Sequence, residues 1–286
     1  MATLRSIKRR IASVRSTQQI TKAMKMVAAA KLRKAQNQLL SARPYAHELD
    51  GVLGHIAGTL RKGSHPLLER RPVKRTLFVV VTSDRGLCGS FNANISRRAL
   101  QEYAACASQE KAVLVIGRKG YDYLRLREVL IAAHHLDFMH QLQFADAQRI
   151  ALQLQNGYIQ KKYDRILIIY NEFKTAVQQQ IVVEQYLPIQ PVVSPEVKFP
   201  VGFIFEPSPR RILSQLCPLS LNVHIWRILL ESSASEHGAR MTAMETATEN
   251  AADMIKELVL YYNKARQAAI TKELNEIIGG SEALHG

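Results

Sequence analysis

The segment Ser83-Asp84-Arg85-Gly86-Leu87-Cys88-Gly89-Ser90 follows an apolar run and precedes a helical stretch. A phosphate-binding loop would lie at such a place, because backbone N–H groups at a helix N-terminus attract anions. The glycine spacing fits neither GxxxxGK[ST] nor GxGxxG, so the segment reads as a tight strand-to-helix turn with glycine at constrained positions. Cys88 within it could act as a thiolate near a helix N-terminus. No His or carboxylate partner follows from the spacing, and a buried structural thiol is the reading. His134, His135 and His140 form a small cluster near a strand end, but the carboxylate or further His support that a metal needs cannot be placed. There is no GxSxG, no HExxH and no spaced carboxylate pair. No catalytic residue, metal ligand or cofactor site is expected.

The elements that would position these residues fall into three groups. In the centre, Arg75–Ser83 and Lys111–Gly117 read as buried strands, Val129–Ala133 as a weak third, and Arg165–Tyr170 and Gln179–Tyr186 as two more. Helical stretches from about Asn92 to Ser108 and over Ala145–Gln160 alternate with them, which indicates an α/β domain with a partly parallel sheet. Pro188, Pro191, Pro195 and Pro200 make an extended linker.

At the N-terminus, Leu4, Ile7, Ile11 and Val14 recur at alternating steps of three and four. Ile20, Met24 and Val27 carry the stripe on after a shift, and Ala28, Leu32, Ala35, Leu39 and Ala42 resume it. That pattern predicts one long helix with a stutter near Gln18–Thr21, capped by Thr3 and kinked or ended at Pro44. At the C-terminus, Ser208-Pro209 reads as an N-cap followed by proline at the first helical position, and a short helical turn then meets Pro218. Met241, Met244, Thr248, Ala251, Ile255, Leu258, Tyr262, Ala265 and Ala269 form a second three-four seam, and Gly279-Gly280 reads as its stop. Each seam must be buried, and winding the two helices on each other as an antiparallel coiled coil does so. The expected fold class is α/β: a long antiparallel coiled coil of N- and C-terminal helices plus a central Rossmann-like α/β domain. The ranges are 1–60 for the first helix, 75–190 for the domain, 191–207 for the linker and 208–286 for the second helix.

Charge sharpens the picture. The 286 residues carry 39 Lys+Arg against 24 Asp+Glu, a net charge of +15, which predicts an acidic partner. Residues 1–46 hold eleven bases and no acid, whereas residues 231–286 hold nine acids and five bases. A basic, acid-free start also fits a transit peptide, but the apolar spacing runs on into Met24, Val27 and Leu32. No apolar run approaches the roughly 18–20 residues of a spanning helix. Three cysteines without a CxxC pair exclude a disulfide scaffold and suit a reducing compartment. With Ala265 and Ala269 in the seam, Gln267 and Thr271 share the outward face, with Arg266 at its flank.

These residues resemble a known family. Ile11–Gln36 (IASVRSTQQITKAMKMVAAAKLRKAQ) is similar to the N-terminal helix of the γ subunits of F-type ATP synthases, residues 83–89 resemble that family's first central turn, and Glu236–Ile278 resembles its C-terminal helix. The resemblance spans the chain in the same order, and the start at MATLRSIKRR resembles bacterial members. It implies a central-stalk rotor subunit that couples transmembrane proton flow to ATP synthesis or hydrolysis in the catalytic β subunits and is itself no enzyme. Implied partners are the α and β subunits of the catalytic hexamer, the ε subunit and the membrane c-ring, with no nucleic acid and no direct membrane insertion. The implied location is peripheral, on the cytoplasmic face of the cell membrane. Matched position by position, Arg266, Gln267 and Thr271 correspond to residues facing a catch loop of β, and Met24 and Arg240 to a lower bearing. The basic first helix would face an acidic β loop. Gly238 stands where the family usually has alanine, which would soften the helix. The alternatives are a nucleotide-binding α/β enzyme and a basic coiled-coil protein that binds nucleic acid.

Overall fold

The computed structural model describes residues 4–59, 65–176, 178–190 and 205–285. Ten principal elements follow in order: α1 (Leu4–Thr59), β1 (Arg75–Val81), α2 (Phe91–Ala105), β2 (Glu110–Ile116), α3 (Arg118–Arg125), β3 (Ile131–His135), α4 (Phe144–Ile159), β4 (Arg165–Phe173), β5 (Gln179–Leu187) and α5 (Pro209–His285). The chain divides into two compact units, one of residues 1–27 with 241–286 and one of residues 28–240.

The larger unit holds a five-stranded sheet in the order β3-β2-β1-β4-β5. β1 pairs in parallel with both β2 and β4, β2 pairs in parallel with β3, and β5 closes one edge antiparallel to β4. Because side chains alternate across a strand, β1 sends Leu77, Val79 and Val81 to one face and Phe78 and Val80 to the other. The first face packs on Ala147, Ile150, Ala151 and Leu154 of α4 and on Leu213, Cys217, Leu221 and Ile225 of α5. The second packs on Phe91, Ile95 and Ala99 of α2. Burial on both faces is why the central strands are unbroken apolar runs rather than alternating ones.

In the smaller unit the two helices run antiparallel. Thr248 Oγ1 donates to Thr21 Oγ1 at 2.8 Å, and Lys25 pairs with Glu245, so numbers fall on α5 as they rise on α1. On α5, Met244 and Ala251 are buried, and Thr248, Ile255, Leu258, Tyr262, Ala265 and Ala269 are half-buried, which is the seam read from spacing.

Several expectations are corrected. The stutter is absent. Positions 4, 7, 11, 14, 18, 21, 25, 28, 32, 35 and 39 are all buried or half-buried, at regular three-four steps. The seam passes through the polar pair Gln18 and Thr21, and Ile20 and Val27 lie outside it, each 57% exposed. Apolarity misled there because a threonine can satisfy its hydroxyl inside a seam, as Thr21 does on the Gln18 carbonyl and on Thr248. Pro44 does not end α1, and Pro218 lies inside α5. Each proline removes one backbone donor, and the burial of Leu39, Leu49, Leu53 and Ile56, or of Leu213, Cys217 and Leu221, offsets the loss. Gly279-Gly280 does not stop α5, which continues to His285. Helix α3 was not expected from its polar sequence and Gly120; Thr82 Oγ1 accepts the Gly120 N–H at 2.9 Å, and Leu124 is buried. β3 lies two residues further on than the spacing indicated. The Thr3 cap and most of the linker, residues 191–204, lie outside the described residues.

Candidate functional site: a filled crevice and an exposed helix face

An open α/β sheet offers a ligand crevice beyond the carboxyl ends of its strands, where the strand order reverses. Here that point lies between β1 and β4. The crevice is occupied by α5. Ser235 Oγ donates to the carbonyl of Asn171 on β4 at 3.2 Å. The Arg240 guanidinium donates to the carbonyls of Gly86 (3.1 Å) and Arg85 (3.3 Å) in the turn after β1, and to Glu236 Oε1 at 2.7 Å.

The turn is built to hold itself and its neighbours. The Ser83 N–H is accepted by Asn92 Oδ1 at 2.9 Å, and Asn92 Nδ2 donates to Ser83 Oγ at 2.8 Å and to Cys88 Sγ at 3.2 Å. The Asp84 carboxylate accepts backbone N–H bonds from Arg118 (3.0 Å), Asp137 (3.0 Å) and Met139 (3.1 Å). One carboxylate thus joins the loops after β1, β2 and β3. It also sits where an incoming phosphate would find the amides at the start of α3. Burial pushes the Cys88 thiol up against the opposing charge of Arg240, so a thiolate is disfavoured. His135 Nε2 lies 2.8 Å from Gln153 Oε1, and the His134 ring packs on Tyr121, so the histidines are engaged separately within the domain. Among the described residues no group of three or more His, Cys, Asp or Glu could hold a metal ion.

The electrostatics of the crevice are set by burial. Lys31, Asp84, Arg85, Asp137, His140, Glu236, His237 and Arg240 line one polar cleft. Burial raises the Glu236 carboxyl against the attraction of Arg240, and burial together with Arg240 and Lys31 lowers His237 to about 4. His237 is therefore neutral near pH 7, and the compensating cation for Glu236 is Arg240.

Of the five residues carried over by resemblance, Met24, Arg266, Gln267 and Thr271 belong to the smaller unit and Arg240 to the larger. The Arg240 side chain is only 11% exposed, committed to the turn. Met24 is half-buried on α1. Arg266, Gln267 and Thr271 are exposed on α5, with Thr271 Oγ1 donating to the Gln267 carbonyl at 2.9 Å. Beyond Ala269 the described face of α5 is exposed all round, leaving Ile270, Leu274, Ile277 and Ile278 uncovered within this chain.

Gly238 has a different role from the one its sequence context suggested. A Cβ there would stand 2.9 Å from the carbonyl oxygen of Ala176, so glycine permits a close approach of two backbones. Gly238→Ala is expected to destabilise by about 1–3 kcal/mol through overpacking, although alanine is the better helix former by roughly 1 kcal/mol. A higher urea midpoint in the variant would refute the close approach.

Fold and site together describe a chain with paired terminal helices and an α/β domain whose ligand crevice is taken by its own α5. A family profile described as ATP synthase matches residues 3–284. The chain is 49% identical over 289 residues to an ATP synthase gamma chain of Geobacter sp. (strain M21), covering both chains completely. It is also 49% identical over 294 residues to that of Cytophaga hutchinsonii, again covering both completely. In three dimensions it resembles a central stalk/c-ring chain of the Tetrahymena thermophila mitochondrial ATP synthase, at TM-score 0.63 and 29% identity over 80% of this chain and 99% of that one. A chain of the Euglena gracilis mitochondrial enzyme shares the fold at TM-score 0.70 and 20% identity, over 99% of this chain and 94% of that one. The chain belongs to the ATP synthase gamma-chain family, and is a subunit of that complex rather than an enzyme in its own right.

Proposed function

We propose that this chain is the central-stalk rotor subunit of an F-type ATP synthase, turned by transmembrane proton flow and driving the catalytic β subunits in turn. The observation that carries the reading is the antiparallel pairing of α1 with α5, followed by an α5 end whose apolar residues this chain leaves uncovered. An uncovered apolar stripe on a long helix is a partner surface. The partners are the α and β subunits around the helix pair, with the ε subunit and the c-ring at the α/β domain. Exposed, polar Arg266, Gln267 and Thr271 meet a loop of β. Met24 and Arg240 belong to a lower bearing, Arg240 by setting the position of the turn at 85–86 that it holds. Asymmetric contacts bias the three β subunits differently, as coupling between sites requires. Individual surface pairs are worth about 0–1 kcal/mol, weak enough to break at each step. No helix among the described residues is long and apolar enough to cross a membrane, which suits a peripheral subunit; its place is the cytoplasmic face of the cell membrane.

Pull-down of the tagged chain from gently solubilised membranes should recover a large complex that hydrolyses ATP. Gln267→Ala with Thr271→Ala should lower the turnover of that complex several-fold while leaving the thermal transition of the isolated chain in place. Recovery of the chain alone, or with nucleic acid, would sink the rotor reading. Unchanged turnover in the double variant would remove these two residues from the interface.

A further inference from the structure

A polar stripe runs down the part of α5 that packs on the antiparallel pair β4–β5. Tyr186 Oη donates to the Leu221 carbonyl at 3.1 Å. His224 Nε2 lies 3.0 Å from Glu184 Oε1. Arg227 Nη2 donates to both oxygens of Glu184, at 3.2 and 3.1 Å, and Arg227 Nη1 reaches Glu231 at 3.4 Å. Tyr170 Oη donates to Glu184 Oε2 at 3.0 Å. Ser235 then bonds the Asn171 carbonyl, and the Gly238 backbone closes on Ala176. Positions 221, 224, 227, 231, 235 and 238 are three or four apart and so lie on one side of the helix.

Partly burying ions in this way is a poor route to stability, because desolvation offsets much of the attraction; an apolar set of similar volume would serve about as well. What the polar set adds is direction. Apolar burial changes little when a helix slides or rolls slightly, whereas a hydrogen bond is lost once it stretches past about 3.5 Å or bends far from linear. Glu184 is the centre of the stripe. From α5 it takes His224 and two bonds of the Arg227 guanidinium, so a roll or slide of α5 on the strands breaks these bonds together, while the Tyr170 hydroxyl on β4 holds Glu184 from the sheet side.

We infer that Glu184, His224, Arg227 and Ser235 are the torque-bearing joint that fixes α5 in rotation and along its axis on β4–β5. They are positioning residues, and the inference rests on the rotor reading. Under load, the α/β domain would pull on α5 through this stripe. Without load, packing alone would keep the helix in place.

The test is single-molecule rotation of the assembled complex, comparing unloaded speed with stall torque. Glu184→Leu with Arg227→Met replaces the ion pair by apolar groups of similar size. Unloaded speed is expected to stay within about twofold of wild type, because no residue at the hexamer is altered. Stall torque should fall to about half or less, a split that simple loss of fold does not produce. Arg227→Lys, which keeps a charged donor on Glu184, should restore most of the torque. Stall torque equal to wild type in the apolar variant overturns the inference, as does a parallel fall in unloaded speed. Should that variant fail to assemble, Ser235→Ala is read in the same way, and an unaltered stall torque there overturns it too. Failure of the wild-type chain to enter a rotating complex would instead overturn the rotor reading.

Discussion

Replacing Gly117 by alanine is expected to cost about 2–5 kcal/mol, a large share of the stability of an ordinary domain. Gly117 joins β2 to α3 with φ at +94°, and its N–H donates to the His135 carbonyl at 2.9 Å. A Cβ at this position would stand 2.2 Å from the carbonyl oxygen of Thr82 and 2.7 Å from its carbonyl carbon. Both atoms are backbone at the end of β1, where the Thr82 N–H already bonds the Ile116 carbonyl at 2.8 Å, so neither can swing aside. Overpacking of about 1–3 kcal/mol adds to roughly 1–2 kcal/mol for left-handed backbone in a residue with a Cβ. The strands meeting here are the ones Asp84 ties together, so the disruption should spread to the turn that Arg240 holds. Urea unfolding of the isolated chain is the check. A midpoint within experimental scatter of wild type would contradict the close approach.

Much of the fold was legible because it obeys short periods. RTLFVVV is unbroken because β1 is covered on both faces, and Met244 to Ala269 shows its seam because each step is three or four residues. The outward position of Gln267 followed from the same count, since it is exposed between half-buried Ala265 and Ala269, whereas at Thr271 the helix is exposed on every side. Elements fixed by distant partners were not legible. Helix α3 exists because Thr82, nearly forty residues earlier, receives Gly120. The first seam looks broken when only apolar residues are counted, whereas Thr21 is completed by Thr248 at the far end of the chain. Pro44 and Pro218 are local stop signals overridden by tertiary packing.

The crevice shows the same limit at a site. Ser83–Ser90 could be recognised as a turn without a phosphate signature, but not that Asp84 would fill the anion position and Arg240 the crevice. Arg240 is separated from Gly86 by 154 residues, and Glu184 from Arg227 by 43. The one local hint was the polar run Glu231-Ser-Ser-Ala-Ser-Glu236 inside an otherwise apolar stretch of α5. All six residues are buried, and most buried polar groups are hydrogen-bonded, as Ser235 is to Asn171 and Glu236 to Arg240.

Arg240→Ala should be the most damaging change among the charged residues, at about 3–5 kcal/mol, because it strands a buried carboxylate. Glu236 has a side chain only 8% exposed, and Arg240 is its ion-pair partner at 2.7 Å. Burial already holds the Glu236 carboxyl above the ordinary range with the arginine present; without it the shift grows. A carboxyl whose folded pKa exceeds its unfolded one binds more protons in the native state. Its ionisation therefore costs stability above the folded pKa, and the cost fades as pH falls through it. The gap between Arg240→Ala and wild type should thus be widest above the raised Glu236 pKa and narrow as pH falls through it. Arg240→Met combined with Glu236→Leu removes both charges and should recover most of the loss, while leaving the Arg85 and Gly86 carbonyls without their donor. In the assembled complex that double variant should remain folded yet turn over slowly, because the turn at 83–90 is no longer held to α5. A gap that does not change with pH, or a double variant no more stable than Arg240→Ala, would show that the guanidinium matters through its bonds to the turn and not through Glu236.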